Sequence, residues 1–464
     1  MTHRYETSLF IFRRDLRLHD NTALNAALRC SRTVLPCFIF DPRQIEPHPY
    51  QSQPGLSFLH DSLADLQAQL KTNGAELTLF HGQPETIIEA LHGSVNLQAV
   101  FVNRDYTPFS RRRDHQMAET CKKLAIPLHY LADALLTEPE QAVKSNRTPY
   151  KVFTAFFNHA RQIPVALPEP LINTNFLPAP KPSTLNTSLE LIAAHQQSTK
   201  SAHTHLIKAG RSGALSLLAT LAKFSDYQNQ RDFPALAATT QFSTHLKFGT
   251  CSVREVFYAL TEQLGSEHPL IRQLYWRDFF THIAYHFPQV FGHAFLEKFE
   301  HLPWDNNQTL FDAWRYGKTG FPIVDAGMRE LLATGFMHNR VRMITASFLV
   351  KDLHIDWRWG ERHFAQHLLD YDPCVNNGNW QWAASTGCDA QPYFRIFNPW
   401  LQQQKFDPDC QYIHRWLPET AKITAKILHQ WDKKHYHCDY PAPIINHAHE
   451  SQISKQRFQH AMQQ

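Results

Sequence analysis

Val34-Leu35-Pro36-Cys37-Phe38-Ile39-Phe40 is a run of seven residues without a charge. It is too short for a core helix and does not alternate, so it reads as a strand buried on both faces. Leu9-Phe10-Ile11-Phe12 upstream has the same character. Downstream, Leu56, Leu59, Leu63, Leu66 and Leu70 recur at helical spacing. Leu77 to Phe80, Val100-Phe101-Val102 and Leu128-His129-Tyr130 then supply three more short apolar runs, with helical patterns near residues 84–92 and 110–124. Strand–helix alternation of this kind predicts an α/β unit over residues 1–135, Rossmann-like, with five parallel strands covered on both faces. No G-x-G-x-x-G follows the first strand, so a dinucleotide at that turn is not indicated.

Beyond it the pattern changes twice. Pro164, Pro168, Pro170, Pro178, Pro180 and Pro182 stand among small and polar residues, which forbids regular helix and favours an extended crossing. Residues 136–200 are therefore expected to be an interdomain linker. From 201 to 464 strand signals nearly vanish and long helical stretches follow, so an all-α domain is expected there.

The chain of 464 residues carries a formal charge of +4, which permits a nucleic-acid partner without indicating one. No apolar stretch is long enough to span a membrane, and the apolar run at residues 9–12 is too short for a signal peptide, so a cytoplasmic protein is expected. The eight cysteines form no C-x-x-C pair and read as free thiols. His282 and His286 are one helical turn apart, and His435 and His437 precede Cys438, but spacing places no third ligand beside either set, so no metal is expected.

Four segments put Asn, Asp, Arg and Trp where a helical domain ordinarily buries Leu and Val. They are Leu274-Tyr275-Trp276-Arg277-Asp278-Phe279-Phe280; Gly317-Lys318-Thr319-Gly320-Phe321-Pro322-Ile323-Val324-Asp325-Ala326; Met337-His338-Asn339-Arg340-Val341-Arg342-Met343; and Asp370-Tyr371-Asp372 through Asn376-Asn377-Gly378-Asn379-Trp380-Gln381-Trp382 to Phe394-Arg395-Ile396-Phe397-Asn398-Pro399. Buried polar groups are costly unless paired, so their clustering points to a large polar-edged ligand inside the helical domain.

These segments, with Phe12-Arg13-Arg14-Asp15-Leu16-Arg17 near the start, resemble the photolyase/cryptochrome family, and within it the bacterial class I photolyases that act on cyclobutane pyrimidine dimers. The resemblance implies light-driven repair of such dimers in double- or single-stranded DNA by a monomer that carries reduced FAD. It places Tyr227 and Thr239, Thr240, Gln241, Phe242 and Ser243 at the flavin phosphates, although the family's usual Thr-Ser-Arg-Leu-Ser is altered here. It likewise puts Arg342 and Asp370 as an ion pair beside the isoalloxazine, Asp372 at its polar edge, and Asn376 facing N5. Trp380, Trp357 and Trp304 match the family's electron-transfer chain. Trp276, Trp382 and Met343 match the walls of the lesion pocket, with Gln273 and Asn339 as polar contacts. Arg231, Arg277, Arg340, Arg395 and Lys405 fall among the DNA-contacting positions.

Two departures stand out. Gln273 replaces the usual Glu of the dimer-specific enzymes, a feature that leans toward relatives acting on (6-4) photoproducts. Those relatives, however, carry a histidine pair where this chain has His338-Asn339. A cryptochrome-type photoreceptor is a second alternative, but 25 residues after Asp439 are few for a signalling tail; a light-independent flavin electron carrier is a third, and it would have no use for a DNA-phosphate patch. Phe109-Ser110 stand where folate-binding members carry Asn-Glu, so a methenyltetrahydrofolate antenna, a flavin antenna or none all stay open.

Overall fold

The computed structural model describes residues 3–178, 184–196, 207–433 and 439–463. Pro180, Pro182, His435, His437 and Cys438 lie outside the described residues. Five parallel strands, β1 (Tyr5–Phe12), β2 (Ser31–Phe40), β3 (Thr78–His81), β4 (Ala99–Asn103) and β5 (Leu128–Leu131), form one sheet in the order β3-β2-β1-β4-β5. The run at 34–40 lies in β2, next to the central strand. Both faces of β1 are covered. Phe10 and Phe12 pack against Phe58, Leu63, Leu66 and Leu70 of the helix Gln53–Thr72, while Leu9 and Ile11 pack against Ile87, Ile88 and Met117 from the helices Pro84–Val95 and Pro108–Lys123.

The connector does more than cross between domains. Val34 donates its N–H to the Asn175 carbonyl at 3.0 Å and accepts from Leu177 N at 2.8 Å, and Thr187 N donates to the Leu79 carbonyl at 3.0 Å. It thereby prolongs the ladder beside β2 and covers the outer edge of β3, an edge that would otherwise expose unpaired backbone groups. Pro36 sits where the neighbour of β2 changes from the connector to β3, whose pairing starts at Cys37. A missing N–H costs little there.

The remainder is helical, and two glycines set its tightest crossings. A Cβ on Gly378 would lie 2.1 Å from the Phe280 ring, and one on Gly360 would lie 2.1 Å from the Trp380 ring. The helix Pro373–Ala384 can therefore press against both Pro269–His286 and Trp357–His367.

The two domains are joined by buried charge. Arg254 of the helical domain reaches Asp20 (2.9 Å) and Asp133 (3.0 Å), while Arg17 holds Asp133 by both oxygens at 2.8 and 2.7 Å. No described helix is long and apolar enough to cross a membrane.

Candidate active site

The helix Pro373–Ala384 organises the site. Asp372 caps it, its Oδ1 accepting from Cys374 N at 2.9 Å and Val375 N at 3.1 Å, with Pro373 in the first helical position where no N–H is needed. The other carboxylate oxygen is held by Arg14 from the end of β1. Burial opposes ionisation of Asp372, but Arg14, Lys247 and Arg277 outweigh it and hold the group down at about 2. The same desolvation, with Arg14 adding to it, pushes Lys247 down to about 8.

One turn on, Asn376 is buried and donates its amide to the Glu361 carbonyl oxygen at 3.0 Å. Its Oδ1 has no partner among the described residues, so the amide is oriented with an acceptor to offer. Asn377 is fully engaged by contrast, donating to Val290 O (3.0 Å) and to Glu361 Oε1 (2.9 Å) and accepting from Gln381. Burial pushes the Glu361 carboxyl up to about 7 against the pull of Asn377 and Arg358.

Arg342 and Asp370 form a two-pronged ion pair at 3.1 and 3.0 Å, and Arg342 Nε donates to Met337 O at 2.7 Å. Tyr227 is buried, with the Arg231 guanidinium 5.8 Å from its ring centre. Thr239, Thr240 and Gln241 are half-buried and Ser243 is exposed at the start of the helix Phe242–Phe248. Gln241, the cap residue, holds φ +57° and makes no side-chain capping bond; Thr240 Oγ1 accepts from Phe242 N at 3.5 Å, and the next N–H groups of the turn suit an anion. Phe242 itself turns its ring into the core with Phe224 and Leu246, leaving only its backbone for a ligand.

Trp380 and Trp357 are buried and Trp304 half-buried, and all three border one aromatic core. The Trp304 indole nitrogen is shielded and unpaired. Trp314 was not singled out in the sequence. It is fully buried 6.2 Å from Trp380 and donates Nε1–H to Thr345 O at 3.0 Å.

Of the residues expected to line a lesion pocket, Gln273 is half-buried and makes no hydrogen bond with any described residue. Asn339 is exposed and reaches Met343 Sδ at 3.7 Å. Trp276 lies one turn before Phe280 and Trp382 one turn after Gly378, so the two indoles flank the same helix crossing. Trp276 is stacked on the Phe153 ring and also meets Phe280 at 5.5 Å and Phe279 at 5.8 Å, and it stays half-buried.

Arg395 and Lys405 are exposed. Arg340 is paired with Asp232 at 2.8 Å and lies over Phe406 at 4.4 Å. Arg277, expected among the DNA-contacting positions, is engaged within the protein. Its guanidinium turns inward to the Ala134 carbonyl at 2.6 Å and the Leu246 carbonyl at 3.5 Å, because buried carbonyls of two other segments need a donor there.

Sequence reasoning also missed Arg14, Lys247, Glu361 and Phe153. Arg14 stood in a quoted motif without a role; nothing in the pattern marked the other three. The residues present fit a flavin dinucleotide. An open acceptor on Asn376, an uncapped helix start beside three hydroxyl side chains, and the cations Arg14, Lys247 and Arg342 suit its polar ring, its phosphates and a negative charge.

Near the interdomain boundary a cleft of about 560 Å³ is lined by Pro108, Arg111, Arg112, His115, Gln116 and Pro288. It is basic and offers no carboxylate among these residues.

Comparison with known proteins identifies the family. Residues 8–173 match the family model for DNA photolyase, and residues 270–460 that for the FAD binding domain of DNA photolyase. The deoxyribodipyrimidine photo-lyase of Alkalihalophilus pseudofirmus is 36% identical, with 94% of each chain covered. The archaeal photolyase from Sulfolobus tokodaii, solved with two FAD molecules, superposes with a TM-score of 0.88 at 40% identity over 98% of this chain and 100% of that one. The class III photolyase from Agrobacterium tumefaciens gives 0.90 at 32% identity over 100% and 99%.

Proposed function

The chain belongs to the DNA photolyase family, and from that premise we propose that it splits cyclobutane pyrimidine dimers in DNA, driven by blue light and using FAD held in the helical domain. The observation that carries this reading is the pairing of two half-built walls. Gln273 has no hydrogen-bond partner among the described residues, Asn339 is exposed, and Trp276, Met343 and Trp382 are half-buried, while Asn376 and Arg342 stand on the helices Pro373–Ala384 and Asn339–Lys351 that carry Trp382 and Met343. Bound FAD, reduced and photoexcited, supplies a single electron that the opened dimer returns, so no protein nucleophile is required.

The residues act by position and charge. Asn376 offers a neutral acceptor where a carboxylate would oppose an anionic reduced ring. Arg14, Lys247 and Arg342 favour negative charge nearby, and Glu361 can hold a proton near neutral pH. A dimer stacks poorly in duplex DNA, which lowers the cost of flipping it into the pocket. Arg231, Arg395 and Lys405 then give affinity through phosphates without sequence readout.

The same reading assigns antenna binding to residues 1–135, the crossing to 136–200 and FAD and DNA binding to 201–464, in a cytoplasmic monomer. The basic cleft suits an anionic chromophore, and the Sulfolobus relative makes a second flavin the first candidate. Gentle purification and extraction of chromophores decides between flavin, folate and none.

The central test irradiates a dimer-containing oligonucleotide with the reduced protein and follows absorbance at the thymine band. Recovery of that absorbance is expected. Turnover of (6-4) photoproducts with none of cyclobutane dimers would sink the reading.

A further inference from the structure

The connector contributes an aromatic ring to the lesion side that no motif marked. Phe153 opens the helix Phe153–Ala160 and is buried, 1% exposed. Its ring lies 3.5 Å from the Trp276 ring, centre to centre, with 7° between the planes. The Arg272 guanidinium lies 5.1 Å from the Phe153 ring and equally 5.1 Å from Phe157. Trp276 is thus held by an aromatic partner that is itself braced by a cation.

Phe153 is tied to the second indole as well. Its N–H donates to Asp389 Oδ2 at 3.0 Å, and two residues earlier the Lys151 carbonyl accepts from Cys388 Sγ at 2.9 Å. The loop carrying Cys388 and Asp389 folds back on the end of the helix Pro373–Ala384. Gly387 N donates to Gln381 O at 3.1 Å and Gln391 N to Trp382 O at 3.3 Å. One residue therefore presses its ring on Trp276 and fastens its backbone to the loop that holds Trp382.

We infer that Phe153 is a positioning residue for damaged bases: together with Asp389 it sets the orientation of Trp276 relative to Trp382, and so the width of the slot that discriminates a joined pyrimidine pair from an ordinary base. The inference rests on the proposed lesion pocket. A leucine at 153 keeps the apolar volume but removes the flat partner, leaving Trp276 held only by the tilted Phe280 ring at 5.5 Å and the edge-on Phe279 ring at 5.8 Å. A tyrosine keeps the stack.

The test is dark binding of the FAD-loaded protein to dimer-containing and undamaged oligonucleotides, so that repair is not the readout. Phe153→Leu is expected to lower the damaged-to-undamaged affinity ratio about three- to tenfold, with undamaged binding unchanged and Phe153→Tyr restoring the parent ratio. Asp389→Ala, which releases the Phe153 N–H without touching the core ring, is expected to shift the ratio the same way and keeps the inference testable if the leucine variant does not fold. Trp276→Ala is the control. If it lowers the ratio while Phe153→Leu and Asp389→Ala do not, the positioning role is wrong and the pocket stands. If Trp276→Ala leaves the ratio intact, the pocket itself is wrong and the inference falls with it. Equal losses on damaged and undamaged DNA would mark Phe153 as structural only.

Discussion

The crevice at the carboxyl ends of β1 and β4 and the pocket around Asn376 both bury charged and amide side chains, and they treat them in opposite ways. In the crevice nearly every group is matched. Asn103 Nδ2 donates to Asp15 and Asn21, Asn103 Oδ1 accepts from Ala23 N, and Asp133 is shared by Arg17, Arg254 and Thr22. Of these side chains only Arg17 keeps a shielded nitrogen, Nε, without a partner. In the helical pocket Asn376 Oδ1 and the whole Gln273 amide are open. An open parallel sheet ordinarily binds its ligand at the point where strand order reverses. Here that point is filled by the protein's own ions, and the place for a ligand is the helical domain. Polar groups matched to one another speak for folding; polar groups left accessible and unmatched in a pocket speak for a ligand.

The largest effect should come from breaking the matched side. Asp133→Ala leaves Arg17 buried without its carboxylate and Arg254 with Asp20 alone, and should cost about 3–5 kcal/mol of stability. Denaturant unfolding measures it, and a loss below about 1 kcal/mol would show that the clasp is not a folding element.

Glu361 tests the boundary between the two kinds of site, since its carboxyl is matched to Asn377 while its carbonyl orients Asn376. Burial raises it from 4.5 to about 7, so the native state keeps a proton that the unfolded chain has lost. Its contribution is whole below pH 4.5 and is lost as pH rises to about 7, up to roughly 3 kcal/mol. Glu361→Gln should flatten the stability profile over that window relative to the parent. Identical slopes would mean that the carboxyl ionises freely.

Trp380→Phe should cut light-driven reduction of oxidised flavin by an external thiol more than tenfold, while protein reduced chemically still repairs dimers. Loss of both activities would turn Trp380 into a packing residue, which its contact with Gly360 allows.

How much of this contrast was legible beforehand depended on range. The strands and the helix Gln53–Thr72 follow from local periodicity, and the Asp372-Pro373 helix start from capping chemistry. The connector's pairing along β2 and β3 was not visible, because its proline-rich stretch hides a few backbone hydrogen bonds to strands about 100 residues or more away. The internal partners of Arg277 were hidden for a related reason: an arginine looks the same in sequence whether it meets a phosphate or the carbonyls of Ala134 and Leu246. Glu361 and Phe153 act through contacts between distant segments, which no spacing rule encodes.

Charge pairing also bears on DNA. Arg340 is held by Asp232, so the salt dependence of duplex binding should rest on Arg231, Arg395 and Lys405, with a log–log slope of about −2 to −3. Asp232→Asn, which frees Arg340, should steepen the slope by about one. An unchanged slope would place Arg340 away from the phosphates.

The smallest expected effect is the sharpest test of the open side. Gln273 and Trp276 are three residues apart on the helix Pro269–His286, so their side chains share a face and can meet one base. Gln offers a donor and an acceptor at any pH, and can satisfy a pyrimidine N–H and C=O without burying a charge. Glutamate accepts when ionised but must be protonated to donate to a carbonyl. Gln273→Glu should therefore still repair cyclobutane dimers, with dimer affinity that weakens by less than about tenfold as pH rises through the carboxyl's range, whereas the parent's stays level. The exchange leaves the shape of the side chain nearly unchanged, so packing cannot produce that pH dependence. A variant as level as the parent across the carboxyl range would mean that residue 273 does not touch the lesion and that its open amide faces only solvent.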